Sequence, residues 1–221
     1  KSGKILAEVL EECLQAAKAG VSTLQIDEFA EKFIKQKGGK PAFKGYHGYP
    51  ATICTAIDEV IVHGIPQKNQ ILKEGDLLTI DCGVIYEGMY TDAARSKGIG
   101  EISPEKERLI KIAKEALSKA IDLAKPGIHL GQISKTIQET VEEAGFHIIR
   151  DLTGHGIGKI LHEEPVILNY WDGDGPILKA GMTLAIEPIF SIGTSQMKTL
   201  SDKWTLVTID NSTAVQEENT I

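Results

Sequence analysis

The sequence predicts an α+β domain assembled from two copies of one helix–helix–hairpin unit. Three observations carry that expectation. Residues 72–81 (L-K-E-G-D-L-L-T-I-D) and 178–187 (L-K-A-G-M-T-L-A-I-E) share Leu, Lys, Gly, Leu and Ile in step, and the two stretches end in carboxylates, Asp81 and Glu187. Upstream, A-K-A-G-V-S-T-L-Q-I at 17–26 is echoed by A-K-P-G-I-H-L-G-Q-I at 124–133, at nearly the same offset. Each half also carries two stretches of helical periodicity followed by strand-like sequence. The halves cover about 1–100 and 101–221, with no linker or low-complexity segment between them, so one domain over 1–221 is expected.

The elements follow in order. Ile5, Leu6, Val9, Leu10, Cys13, Leu14 and Ala17 fall on one face of a helix that stops near Gly20. Ile26, Phe29, Ala30, Phe33 and Ile34 give a second helix, closed by Gly38-Gly39. Residues 77–86 and 89–94 read as strands on either side of a Glu87-Gly88 turn. In the second half, Ser103-Pro104-Glu105 is a helix start, with a capping hydroxyl before a proline of the first turn. That helix carries Leu109, Ile112, Ala113, Ala116, Leu117 and Ala120; Ile133, Ile137 and Val141 mark the next, ending at Gly145. Residues 182–192 and 204–209 are the expected counterparts of the first hairpin.

Bulk properties narrow the function. The chain is 42% hydrophobic and 25% charged, an ordinary globular composition. A net charge of −7 argues against nucleic acid or an anionic membrane as the main partner. Cys13, Cys54 and Cys82 lack paired spacing and read as reduced thiols, hence a cytoplasmic setting. No apolar run reaches membrane-spanning length and no signal peptide is visible. Lys1 already falls within helix-like sequence, so the natural N-terminus is expected to lie further upstream.

The chemistry gathers around acids. The hairpin would bring Asp81 and Asp92 onto one face, and the repeat would set Glu187 against Asp81. His155 lies in the Gly-rich T-G-H-G-I-G, read as a turn, and Glu218 in Q-E-E-N-T-I at the start of a last strand. Buried acids that converge need a cation, a shared proton or a basic partner. Four carboxylates and one imidazole suit two divalent ions with bridging carboxylates, the equipment of a hydrolase. Other features read as structural: His129 and His147 flank helices, Cys54 has no activating base beside it, and no Lys-Ser/Thr follows the glycines at 154–158 as a phosphate loop requires.

Eight motifs in order extend this. Y-H-G-Y-P (46–50), V-H-G-I-P (62–66), T-I-D-C-G (79–83), Y-T-D-A-A-R (90–95), G-H-G-I-G (154–158), L-H-E-E-P (161–165), A-I-E-P (185–188) and Q-E-E-N-T (216–220) together resemble the type I methionine aminopeptidases over the whole chain. The resemblance implies the pita-bread fold, a pseudo-two-fold α+β domain. It implies Asp81 and Asp92 at the first and shared metal positions, His155 and Glu187 at the second, and Glu218 bridging. His63 and His162 would contact the scissile amide and stabilise the tetrahedral intermediate, and Glu187 would carry the proton from water to leaving amine. Tyr46, His47, Tyr49, Cys54 and Trp204 would line the pocket for a methionine thioether.

The implied activity is removal of the initiator methionine from nascent polypeptides with two divalent ions, the ligand set admitting Co, Mn, Fe, Zn or Ni. The implied partners are N-terminal Met peptides, with the ribosome as a further candidate, and the implied state is a monomer in the cytoplasm. The chain departs from the pattern at Leu161, where many relatives carry Phe, and at Asn219, where His is common. Phe43 stands where some have a pocket Cys and is left out of the expected site. The family also continues past Ile221, so C-terminal strands are expected beyond it. The competing functions are a proline-specific aminopeptidase or dipeptidase, and a binding module of this fold without catalysis.

Overall fold

A computed structural model describes residues 1–221. The first half runs α1 (Ser2–Ala16), α2 (Thr23–Gln36), β1 (Lys40–Pro41), β2 (Ile53–Ile57), β3 (Val60–Val62), β4 (Leu77–Tyr86) and β5 (Met89–Gly98). The second runs α3 (Pro104–Leu123), α4 (Leu130–Glu143), β6 (His147–Ile148), β7 (Thr153–Gly156), β8 (Glu163–Leu168), β9 (Leu184–Ile186) and β10 (Ile189–Ser191). It closes with β11 (Met197–Thr199), β12 (Leu206–Thr208), β13 (Ala214–Gln216) and β14 (Asn219–Thr220).

Each half buries the apolar stripe of its helix pair against its own strands. Ile5, Leu6, Val9, Leu10 and Cys13 of α1 pack with Ile26, Ala30 and Ile34 of α2 on Leu78, Ile80 and Cys82 of β4. In the second half, Leu109, Ala113, Ala116 and Ala120 of α3 meet Ile133, Ile137 and Val141 of α4 over Leu184, Ile186 and Phe190. The alanines of α3 leave room for the helices to approach closely. Lys97 closes the end of α1 by donating to the carbonyls of Leu14 and Ala17 at 2.9 and 3.1 Å. Helix starts follow the capping rules: Ser103 accepts from the Lys106 amide, and Ser22 forms a capping box with Gln25 that the apolar pattern alone did not mark. Phe29 lies within α2 as expected but stays 36% exposed, its ring 6.0 Å from Phe33.

The first hairpin forms as expected. Glu87 (φ 51°) and Gly88 (φ 80°) are both left-handed, the twist a two-residue turn needs between β4 and β5. The second half is different. Pro188 has no N–H for a ladder, and the run 182–192 breaks around Glu187-Pro188 into β9 and β10. Residues 204–209 do not pair with that run: β12 joins β11 and, across the halves, β3. The partners of β9 are β7 and β14, and those of β10 are β6 and β13. Backbone bonds also stitch the halves where β5 meets the last residues, with Glu218 N–H donating to Ala94 at 3.0 Å and Ala94 N–H to Glu218 at 3.3 Å. The duplicated units therefore face each other across a seam that contains the predicted acids.

Candidate metal centre

The hairpin register decides the first two acids. Asp81 lies opposite Ala94, and Asp92 opposite Gly83, so both carboxylates share a face as diagonal neighbours. A Cβ at Gly83 would come within 2.6 Å of the Phe43 ring, so the glycine lets that ring close over the strand pair. Cys54 on β2 sits directly opposite Asp81, which puts its thiol on the same wall. Burial first, and then the Asp81 charge, push that thiol well above the ordinary cysteine range, which leaves it unreactive.

The second half supplies the other three. His155 lies in β7 rather than in a turn: no glycine of 154–158 has a positive φ. Cβ atoms at Gly154 and Gly156 would lie 2.4 and 2.2 Å from the carbonyl oxygens of Ala185 and Glu164. The glycines thus serve close packing of β7 between β8 and β9. His155 Nδ1–H donates to its neighbour's carbonyl, Gly156 O, at 2.8 Å. That leaves the Nε2 lone pair facing inward, 3.8 Å from Glu187 Oε1. Glu187 follows the end of β9, and Glu218 lies between β13 and β14 rather than within a strand. Thr220 Oγ1 ties the seam by bonding both N and O of Asp92 at 2.8 Å.

All five residues come together in one cavity, each between 2% and 9% exposed. Donor atoms of Asp92, His155 and Glu218 lie within 4.8 Å of one another. Asp81 Oδ1, Asp92 Oδ1 and Glu218 Oε1 are buried with no hydrogen-bond partner. Orphaned carboxylate oxygens at such depth are costly unless a cation meets them. Burial raises Asp81 to about 7. Asp92, Glu187 and Glu218 go well above the carboxylate range through burial and then each other's charge, Arg95 opposing this at Glu218. Hard oxygen donors with one open imidazole nitrogen fit divalent ions.

Three supports have no role in the sequence expectation, although two of them lie inside its motifs. Gln216 donates to Glu187 Oε2 at 3.1 Å and to Glu218 Oε2 at 3.4 Å, aligning two acids from the opening residue of Q-E-E-N-T. Arg95 donates to Glu218 O and to Asn219 Oδ1, both at 2.5 Å, so the asparagine holds the seam through Arg95. Asn169 donates to Glu187 O at 2.9 Å.

The cavity measures about 740 Å³. Tyr46, Tyr49, Cys54, His63, His162 and Trp204 line it; His47 does not, its exposed ring packing edge-on against Tyr46 at 4.4 Å. Phe43, left outside the expected site, lines it together with Leu161. Tyr49 anchors its hydroxyl on the carbonyls of Ile53 and Gly64 and meets Trp204 edge-on at 5.1 Å. The Asp202 carboxylate accepts the Trp204 amide at 2.9 Å, fixing the indole in a turn ahead of β12. His63 takes a left-handed φ of 58° at the end of β3, a sparsely populated conformation for a residue other than glycine. Burial lowers its pKa, and burial with the neighbouring imidazoles of His155, His63 and His47 lowers His162 to about 4.

Residues 1–221 match the metallopeptidase family M24. The chain belongs to this family. A methionine aminopeptidase of Clostridium acetobutylicum is 50% identical, with 100% of this chain aligned to 89% of that protein. Methionine aminopeptidase 1 of Bacillus subtilis is 42% identical over the same shares. The crystal structure of a methionine aminopeptidase from Thermotoga maritima superposes with a TM-score of 0.98 at 43% identity, over 100% of this chain and 89% of that one. The architecture is the pita-bread fold of these metallopeptidases, two helix-pair units closed around a shared acidic centre.

Proposed function

We infer that the chain is a metal-dependent aminopeptidase that releases N-terminal methionine from peptides. One observation carries the reading: a buried set of four acids and one open imidazole nitrogen shares a cavity with an aromatic and thiol-lined pocket. Asp81, Asp92, His155, Glu187 and Glu218 would hold two divalent ions. When bound, such ions supply Lewis-acid activation of water and of the peptide carbonyl. Tyr49, Cys54, Leu161 and Trp204 receive the unbranched thioether, a side chain that fits irregular apolar walls. The acids attract the substrate's free α-amine, which restricts cleavage to the first peptide bond. His63 and His162 face the scissile bond from the cavity wall, and Glu187 moves the proton from water to the departing amine.

The same reading takes nascent polypeptides in the cytoplasm as the cellular substrates, and a single catalytic domain acting as a monomer. A peptide panel tests it. The chelator-treated chain, resupplied with Mn(II) or Co(II), should free methionine from Met-Ala-Ser and leave Ala-Pro-Ala intact. Cleavage confined to Ala-Pro-Ala would move the activity to the proline-specific class. No cleavage of either, with no ion retained, would favour a binding module.

A further inference from the structure

Two neighbouring imidazoles in the cavity are each held at Nδ1, one by a carbonyl and the other by a hydroxyl. His155 Nδ1 meets a carbonyl, Gly156 O, at 2.8 Å. A carbonyl only accepts, so His155 carries its hydrogen on Nδ1 and turns the Nε2 lone pair inward. His162 Nδ1 meets the hydroxyl of Tyr46 at 2.7 Å. That phenol can donate or accept, but it makes no other hydrogen bond within the chain, so Nδ1 is the one protein acceptor within reach of its proton. His162 would then carry its hydrogen on Nε2. The two rings touch edge-on with centroids 4.3 Å apart.

The protein spends structure on this contact. His162 lines the cavity with part of its surface open to solvent and ends an irregular stretch, 157–162, whose backbone is braced by the Glu163 carboxylate accepting from Lys159 and Ile160 at 2.7 and 3.0 Å. An imidazole in that position has two side-chain torsions and two tautomers to lose before it can act. Tyr46 supplies the constraint, and Tyr46 is itself constrained. Gly45 (φ 88°), His47 (φ 47°) and Gly48 (φ 88°) place three left-handed residues around it, one of them not a glycine. The His47 ring braces its outer side edge-on, which gives that exposed histidine a place in the arrangement. A pocket wall alone requires none of this.

We propose that Tyr46 is a positioning residue that holds His162 as its Nε2–H tautomer, so that this imidazole meets the peptide carbonyl as a hydrogen-bond donor. The proposal rests on the aminopeptidase reading for its consequence, but the tautomer is measurable without turnover. Tyr46→Phe keeps the ring and removes only the hydroxyl. It should lower kcat about tenfold with little change in KM, since a misplaced donor costs transition-state binding rather than substrate affinity. Nitrogen-15 spectra of the zinc-loaded chain should show His162 as the Nε2–H form in the native protein and as a mixture in Tyr46→Phe. An Nδ1–H form in the native protein would overturn the proposal, as would a Tyr46→Phe chain with unchanged kcat and an unchanged nitrogen pattern. Native protein that frees no methionine would sink the aminopeptidase reading, while the spectra would still decide the tautomer.

Discussion

Removing the cation should turn the acid cluster into a pH-dependent defect of stability. In the metal-free chain burial holds Asp81 at about 7, against an ordinary 3.8. Between those values the folded state keeps a proton that the unfolded state has released. Its contribution is therefore complete below the unfolded value and is lost as pH rises through about 7. Each proton that only the folded state retains costs about 1.4 kcal/mol per pH increment of one, so Asp81, half titrated at pH 7, removes about 2 kcal/mol between pH 5 and pH 7. Glu217, which accepts the Ser96 amide at 2.9 Å and is also pushed by burial to about 7, adds a second loss of similar sign. Asp92, Glu187 and Glu218, raised by burial and by the neighbouring acid charges, add losses of the same sign, while His63, His155 and His162, lowered by burial, oppose them in part below pH 6.5. Bound divalent ions favour the ionised ligands and should abolish the losses of the four ligand acids, leaving the Glu217 share, which Glu217→Gln would remove. Urea unfolding at pH 5, 6 and 7, with and without Mn(II), measures both. A metal-free chain whose stability is flat or rises over that range would refute the reasoning.

Other outcomes follow from the same geometry. Asp92→Asn should abolish metal loading and methionine release together, whereas His162→Ala should keep its metal and slow turnover about a hundredfold or more, read by metal analysis beside a peptide assay. Gln216→Leu, which strips the donor from Glu187 and Glu218, should weaken metal affinity about 10- to 100-fold in a competition titration with a chromophoric chelator. Gly83→Ala should force the Phe43 ring aside and cost about 1–3 kcal/mol in thermal unfolding. An alanine there that leaves the midpoint unchanged would show that the ring moves freely.

What could be read in the sequence was what local pattern determines. The Glu87-Gly88 turn and strict alternation put Asp81 and Asp92 on one face, and the internal repeat matched Glu187 to Asp81. The helices followed from apolar spacing and the Ser103-Pro104 start. The second hairpin was misplaced because Pro188 splits one apolar run into two strands with different partners, and because β12 finds its mate in the other half. Neither pairing is encoded within a short window. The glycines around His155 looked like a turn since glycine permits both tight turns and close strand packing; the carbonyls of Ala185 and Glu164 choose the second. Gln216, Arg95 and the Tyr46–His162 bond act across sequence separations that no local pattern reveals.

The most direct test of the central claim is a titration of the metal-stripped chain with Mn(II), following methionine freed from Met-Ala-Ser and bound ion in the same samples. Release that rises with occupancy and saturates near two ions per chain is the expected result, with Asp92→Asn silent in both readouts. Release that is independent of added metal, or full ion binding in Asp92→Asn, would contradict the account.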